Sequence, residues 1–203
     1  MNTIPIEALK HIETAMKEVC SNDEARKNLQ FVYLTFDGKK VKVQASNGYI
    51  MTERFFNCET DFTGEYQISK DLLKVVSLLI KEKGHHYLMV KDGDNIKICL
   101  YNRPVEVFLT PSKDNKPCFD KVMKDHKNIK YSIRCGNENE TFIDVEFNPE
   151  LLLKVFKAMK IHRNEKGIRV RISLTNKNGI ISQRPVAMVI DRGHDTALLM
   201  PMM

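Results

Sequence analysis

The sequence lacks any apolar run near the roughly 18 residues that a membrane-spanning helix requires. Its most apolar stretch, residues 75–80, is bounded by Lys74 and Lys81. The opening Met1-Asn2-Thr3-Ile4-Pro5 has neither the basic start nor the apolar core of a secretory signal, so a cytoplasmic location is expected. Cysteines are few and odd in number: Cys20, Cys58, Cys99, Cys118 and Cys135 are far apart and form no C-x-x-C. That excludes a disulfide framework or zinc ribbon and predicts reduced, mostly buried thiols. Neither G-x-x-x-x-G-K-[ST] nor G-x-G-x-x-G is present, so no phosphate-binding loop is available. No serine sits in G-x-S-x-G. His11-Ile12-Glu13 could open a zinc-deaminase signature, but no P-C-x-x-C follows, and it reads as a helix surface. His85 and His86 are adjacent strand positions that point to opposite faces, so they cannot readily share a metal. Nothing supports an enzyme, and no cofactor is implied.

What is present fits a globular protein. The 203 residues suffice for one large domain or two small ones; 42% are apolar and 29% charged. Such a composition excludes a disordered chain. The net charge of +6, from 32 Lys and Arg against 26 Asp and Glu, permits an acidic partner such as nucleic acid without demanding one.

Apolar residues recur every three or four positions over 4–20, which predicts a helix with Pro5 in its first turn. Residues 29–36 and 41–45 read as strands joined at Asp37-Gly38, and Asn47-Gly48 turns into a third strand over 49–56. A second helix spans about 69–83, capped by Ser69 and stopped by Gly84. Strands follow at 87–91, 95–101 and 104–110, the first two turned by Asp92-Gly93, and residues 111–117 read as a linker. Beyond it, strands are expected at 129–134, 142–147, 168–174, 185–190 and 197–200. A third helix is expected over 149–162, with Asn148 as cap and Pro149 at its first position. The apolar final segment predicts a docked tail.

An internal repeat supports the same architecture. Leu72-Leu73-Lys74-Val75-Val76 recurs 80 residues later as Leu152-Leu153-Lys154-Val155-Phe156, and Arg103-Pro104-Val105 as Arg184-Pro185-Val186. Helices followed by several strands, used more than once, indicate an α+β fold with antiparallel sheets and helices on one face. The helices carry lysine stripes: Lys10 and Lys17 on the first, Lys70, Lys74 and Lys81 with Ser77 on the second, and Lys154, Lys157 and Lys160 on the third. Such a stripe is either an ordinary solvated face or a surface that tracks phosphates without reading sequence.

Three motifs carry a resemblance. Arg26-x-x-Leu29 leads to Ala45-Ser46-Asn47-Gly48-Tyr49, Pro117-Cys118-Phe119-Asp120-Lys121-Val122-Met123 lies midway, and Leu198-Leu199-Met200-Pro201-Met202 stands just before the final Met203. In order and spacing they resemble the R-x-x-L, A-T-D-G-H-R-L, F-P-D-Y-x-R-V-L and V-V-M-P-M-R segments of bacterial replicative sliding clamps, the β subunits of DNA polymerase III. Ser46, Asn47, Tyr49, Ile50, Met51 and Met203 depart from that pattern. The resemblance implies clamp-like domains: 1–116 is similar to the family's middle domain and 117–203 to its last, shortened and without its first helix. It further implies a non-enzymatic processivity factor whose helices face duplex DNA, in a ring of two or three copies. A groove binding peptides of polymerases and clamp loaders is also implied, lined by Leu29, Ser46, Gly48, Met51, Pro117, Lys121, Val122, Leu198 and Met200. A non-ring adaptor or decoy that keeps only the groove is the alternative.

Overall fold

A computed structural model of the chain describes residues 2–82, 86–100, 103–112, 116–127, 148–159, 169–174, 185–192 and 195–199. The expected strands at 129–134 and 142–147, the Gly84 stop, His85, Lys160 and Met200 lie outside these residues. The chain begins with a short strand β1 (Thr3–Pro5), which the sequence pattern does not reveal, and helix α1 (Ile6–Glu18), with Pro5 as its N-cap residue. Ala8, Leu9, Ile12, Ala15 and Met16 of α1 are buried, the stripe that its periodicity predicts. His11 departs from the expected helix surface: it is fully buried, its ring 5.7 Å from that of Phe56.

Leu29 closes a 3₁₀ turn (Glu24–Leu29) instead of opening the next strand, since Asp23 caps that turn by accepting the Ala25 N–H. Strands β2 (Phe31–Asp37), β3 (Lys40–Ser46) and β4 (Ile50–Asn57) then form two antiparallel hairpins. In the first turn the Asp37 carboxylate accepts the N–H groups of Lys39 and Lys40 at 2.9 and 2.6 Å. In the second, Asn47 Oδ1 accepts those of Tyr49 and Ile50, both at 2.9 Å. Strand β5 (Thr63–Ser69) pairs along β2 although only Ile68 in it is buried, so it has no alternating apolar signal to read.

Ser69 accepts the Asp71 N–H, as its capping role requires, but the first turn (Lys70–Leu72) is 3₁₀ and α2 proper covers Leu73–Lys81. Strands β6 (His86–Asp92), β7 (Asn95–Cys99) and β8 (Glu106–Pro111) follow as a meander. The expected linker is partly structured. Pro111 pairs with Tyr66 in β5, and the next N–H, from Ser112, donates to the Glu65 carbonyl. Helix α3 (Phe119–Lys127) was not expected, whereas α4 (Pro149–Ala158) is, its Asn148 side chain accepting the N–H groups of Glu150 and Leu151. Strands β9 (Arg169–Leu174), β10 (Pro185–Arg192) and β11 (Asp195–Leu199) complete the described chain.

The strands order as β1-β6-β7-β8-β5-β2-β3-β4-β11-β10-β9, with antiparallel pairing throughout. The join between the two halves is β4 against β11, where Ile50, Met51, Thr52 and Glu53 face Leu199, Leu198, Ala197 and Thr196. Strand alternation gives this sheet two unlike faces. Val32, Leu34, Phe36, Val41, Val43, Ala45, Ile50, Ala197 and Leu199 form the main core with α1, and α2 and α4 pack on either side of α1. Tyr33, Gln44, Ser46, Met51 and Leu198 alternate to the other face, where α3 lies.

Candidate nucleic-acid interface and peptide slot

On the helical face the lysines differ in what they touch. Lys10 on α1 and Lys74 and Lys81 on α2 are exposed and make no ion pair among the described residues. Lys154 is half-buried on α4. The others are engaged. Lys17 donates to Glu13 at 2.7 Å, and Lys157 lies 3.5 Å from Glu18. The Lys70 ammonium donates to the Cys20 carbonyl and the Asn22 side chain, tying α2 to the end of α1. Ser77, expected on the polar stripe, donates instead to Glu13 at 2.5 Å across the α1–α2 contact. Burial pushes the Glu13 pKa up, but hydrogen bonds from Lys17 and Ser77 and the charges of Lys17 and Lys81 outweigh it and hold the carboxyl below its ordinary range. α1 thus carries Glu7, Glu13 and Glu18 against two lysines, and the open positive charge belongs mainly to α2.

On the opposite face, three of the carried-over groove residues meet. Met51, Val122 and Leu198 form an apolar cluster with Met123, in which Met123 and Leu198 are buried and Met51 and Val122 partly so. The β4–β11 ladder brings Met51 opposite Leu198, and α3 supplies the other two side chains. Gly48 and Leu29 also approach one another: a Cβ on Gly48 would lie 3.6 Å from Leu29 Cδ1 and only 2.8 Å from Arg26 Nη1. Arg26 in turn lies 5.5 Å over the exposed Tyr49 ring. Ser46 serves the turn, donating to the Ile50 carbonyl at 2.8 Å and accepting the Gly48 N–H at 3.0 Å. The Pro117 carbonyl accepts the Phe119 N–H and so starts α3, on which Lys121 is exposed.

Residues that the sequence motifs did not single out as lining hold α3 against the sheet beside this cluster. Phe119 is buried with its ring 5.4 Å from that of Tyr33. Asp120 accepts hydrogen bonds from Lys42 at 2.6 Å and from the Gln44 amide at 3.0 Å, and that amide also donates to the buried Glu53 at 2.8 Å. Burial raises the Asp120 pKa, yet these donors and the Lys42 and Lys116 charges leave it lowered overall. The three-and-four spacing of Phe119, Val122 and Met123 is the signal that could have revealed the helix.

Among the described residues no group of three or more His, Cys, Asp or Glu is placed to hold a metal, and no helix is long and apolar enough to cross a membrane. The two faces differ in kind: exposed lysines stand on the helical side, and a small apolar cluster lies on the other.

No family model and no curated protein matches the sequence. Solved structures do match. A DNA polymerase III β chain from Streptococcus pneumoniae aligns with a TM-score of 0.66 at 16% identity, over 99% of this chain and 64% of that one. The β subunit from Thermotoga maritima aligns at 0.62 and 11%, over 98% and 64%. A Helicobacter pylori β clamp bound to a DNA ligase peptide aligns at 0.57 and 13%, over 100% and 66%. The chain therefore spans less than two-thirds of the length of the first two. At these identities the likeness is one of architecture: with its antiparallel strands, helical face and β4–β11 join, this chain has the fold of the bacterial DNA polymerase III β sliding clamps.

Proposed function

We propose that the protein is a sliding-clamp-like processivity factor whose helical face lies along duplex DNA and whose outer slot takes short peptides from replication proteins. The observation that carries this reading is the exposure of Lys10, Lys74 and Lys81, without ion pairs among the described residues, on the helical side of a clamp-type sheet. Lysines that meet phosphates weakly and read no bases suit a protein that must slide. Each phosphate that such a lysine neutralises adds only about 0.9 to the salt slope of binding. Affinity for open DNA is then low, and retention has to come from topology. Two or three copies would close the ring, and polymerase and clamp-loader peptides would enter the slot at Met51, Val122 and Leu198.

The test compares retention on closed circular and linearised duplex DNA. A clamp stays on the circle and runs off the linear ends. Charge reversal at Lys74 and Lys81 should weaken association with DNA while leaving untouched the binding of a DNA ligase peptide of the kind seen with the Helicobacter pylori clamp. Equal loss from both DNA forms, with peptide binding intact, would identify the adaptor instead. If the reversal alters neither property, the lysines form only a solvated surface.

A further inference from the structure

We propose that Glu13 sets how firmly the helical face holds duplex DNA: its carboxylate withholds Lys17 from phosphate and keeps affinity low enough for sliding. The inference rests on the clamp reading and concerns the regulation of that same face.

Glu13 stands at the seam between α1 and α2, where the lysines of the two helices run side by side. On α1, Lys10 lies three residues before it and Lys17 four after, so they share one stretch of helix surface. On α2, Ser77 reaches it from between Lys74 and Lys81, which lie three and four residues to either side. A negative charge therefore sits between lysines of both helices, inside the surface that would meet phosphates.

A freely rotating surface glutamate would count for little there, since water and salt weaken exposed pairs. Glu13 is held. Ser77 donates to its Oε1 at 2.5 Å, and Lys17 donates to the same oxygen at 2.7 Å. The Glu13 side chain is only 20% exposed, against 47% for Lys17. Burial opposes its ionisation, yet the Lys17 and Ser77 hydrogen bonds and the Lys17 and Lys81 charges hold the carboxyl below its ordinary range. At neutral pH the group is a fixed anion. Because the Ser77 bond spans the contact between helices, the carboxylate is restrained from swinging aside when a phosphate approaches. Glu18 reaches Lys157 at the longer distance of 3.5 Å, so the tighter restraint falls on Lys17.

Toward DNA this anion works in two ways. Lys17 has to leave Glu13 before it can neutralise a phosphate, and the carboxylate repels any phosphate drawn toward Lys81. Both effects keep down the number of phosphates each copy neutralises, and with it the affinity for duplex.

The experiment measures association of the full chain with a short linear duplex by fluorescence anisotropy, from about 50 to 200 mM salt. Glu13→Gln removes the charge and keeps an acceptor for Ser77. It should bind roughly five- to tenfold more tightly than wild type at about 0.1 M salt, with a salt slope steeper by about 0.9 for the freed lysine. Misfolding lowers affinity and so cannot imitate this gain. Adding Lys17→Gln to Glu13→Gln should erase it. Asp94→Asn changes the net charge equally, but at an exposed position in the β6–β7 turn, and should stay within about twofold of wild type. Unchanged affinity in Glu13→Gln would overturn the proposal. So would an equal gain in Asp94→Asn, or a gain that survives the added Lys17→Gln. If neither wild type nor Glu13→Gln binds the duplex, this inference and the clamp reading fail together. A gain in Glu13→Gln without retention on circular DNA would uphold Glu13 as the residue that limits affinity and defeat the ring, so the two failures are distinguishable.

Discussion

Replacing Asp195 with alanine should loosen the join between the two halves, and the size of the effect follows from the surroundings of Arg54. Its Nε donates to Asp195 Oδ2 at 2.7 Å, and the Phe55 N–H donates to the other carboxylate oxygen at 3.4 Å. The two side chains are only 12% and 14% exposed. An exposed pair would be worth about 0.2–1 kcal/mol, whereas orphaning a buried charge costs about 3–5 kcal/mol. Arg54 sits toward the second limit. Its guanidinium lies 5.2 Å over the Phe56 ring, and its Nη1 is buried without another acceptor among the described residues. Reaching water would break the ring contact, so a cost of about 2–3 kcal/mol is expected.

Urea unfolding of Asp195→Ala should show that loss as a lower midpoint with an unchanged slope. Amide exchange should accelerate most at Thr196–Leu199, by roughly 30- to 150-fold, because opening there separates β11 from β4. Converting Arg54 to methionine in the same background removes the orphaned charge and should recover more than about 1 kcal/mol, a clear departure from additivity. A cost below about 0.5 kcal/mol for Asp195→Ala, with additive single and double variants, would refute the reasoning. The join would then rest on the ladder and its apolar side chains alone.

Gly48→Ala should destabilise the chain by about 1–2 kcal/mol in the same assay, since Gly48 has φ +92° and a Cβ would crowd Arg26 Nη1. Asp120 predicts a pH effect: its lowered pKa means that the Lys42 and Gln44 contacts stabilise the fold fully above the ordinary aspartate range. That contribution is lost as pH falls through the depressed value. Because the carboxylate is 65% exposed, it amounts to less than about 1 kcal/mol, and Asp120→Asn should remove the dependence in acid titrations of stability. Thiol labelling at neutral pH should reach exposed Cys118 before Cys20 and Cys58. Burial pushes Cys20 up to about 12 and Cys58 up to about 11, which leaves both as buried thiols. Peptide mapping showing early modification of Cys20 would contradict that order.

Much of the fold was legible in sequence because the signals are local. Asp37-Gly38 and Asn47-Gly48 specify their turns through side-chain acceptors and positive φ at glycine. Ser69 and Asn148 begin helical segments because each offers an oxygen to the N–H groups that follow. The spacing of Ala8, Leu9, Ile12, Ala15 and Met16 sets the buried stripe of α1 before any partner is known. The lysine stripes were legible from helical spacing, whereas Met51, Val122 and Leu198, which the fold does bring together, were singled out only through resemblance.

What the tertiary structure decided is everything that depends on which distant groups meet. β5 escaped notice because a strand with one buried side chain is held by its ladder to β2 rather than by its own pattern. His11 lies inside, beside Phe56, a placement that the polarity of its side chain does not announce. A count of lysines cannot separate Lys74, which stands open, from Lys70, whose ammonium reaches Cys20 and Asn22 some fifty residues earlier in the chain. Nor can strand propensity show that β8 is half-paired, since pairing belongs to two segments at once. Local chemistry set the elements; long-range contact set which charges stay free and which edge stays open.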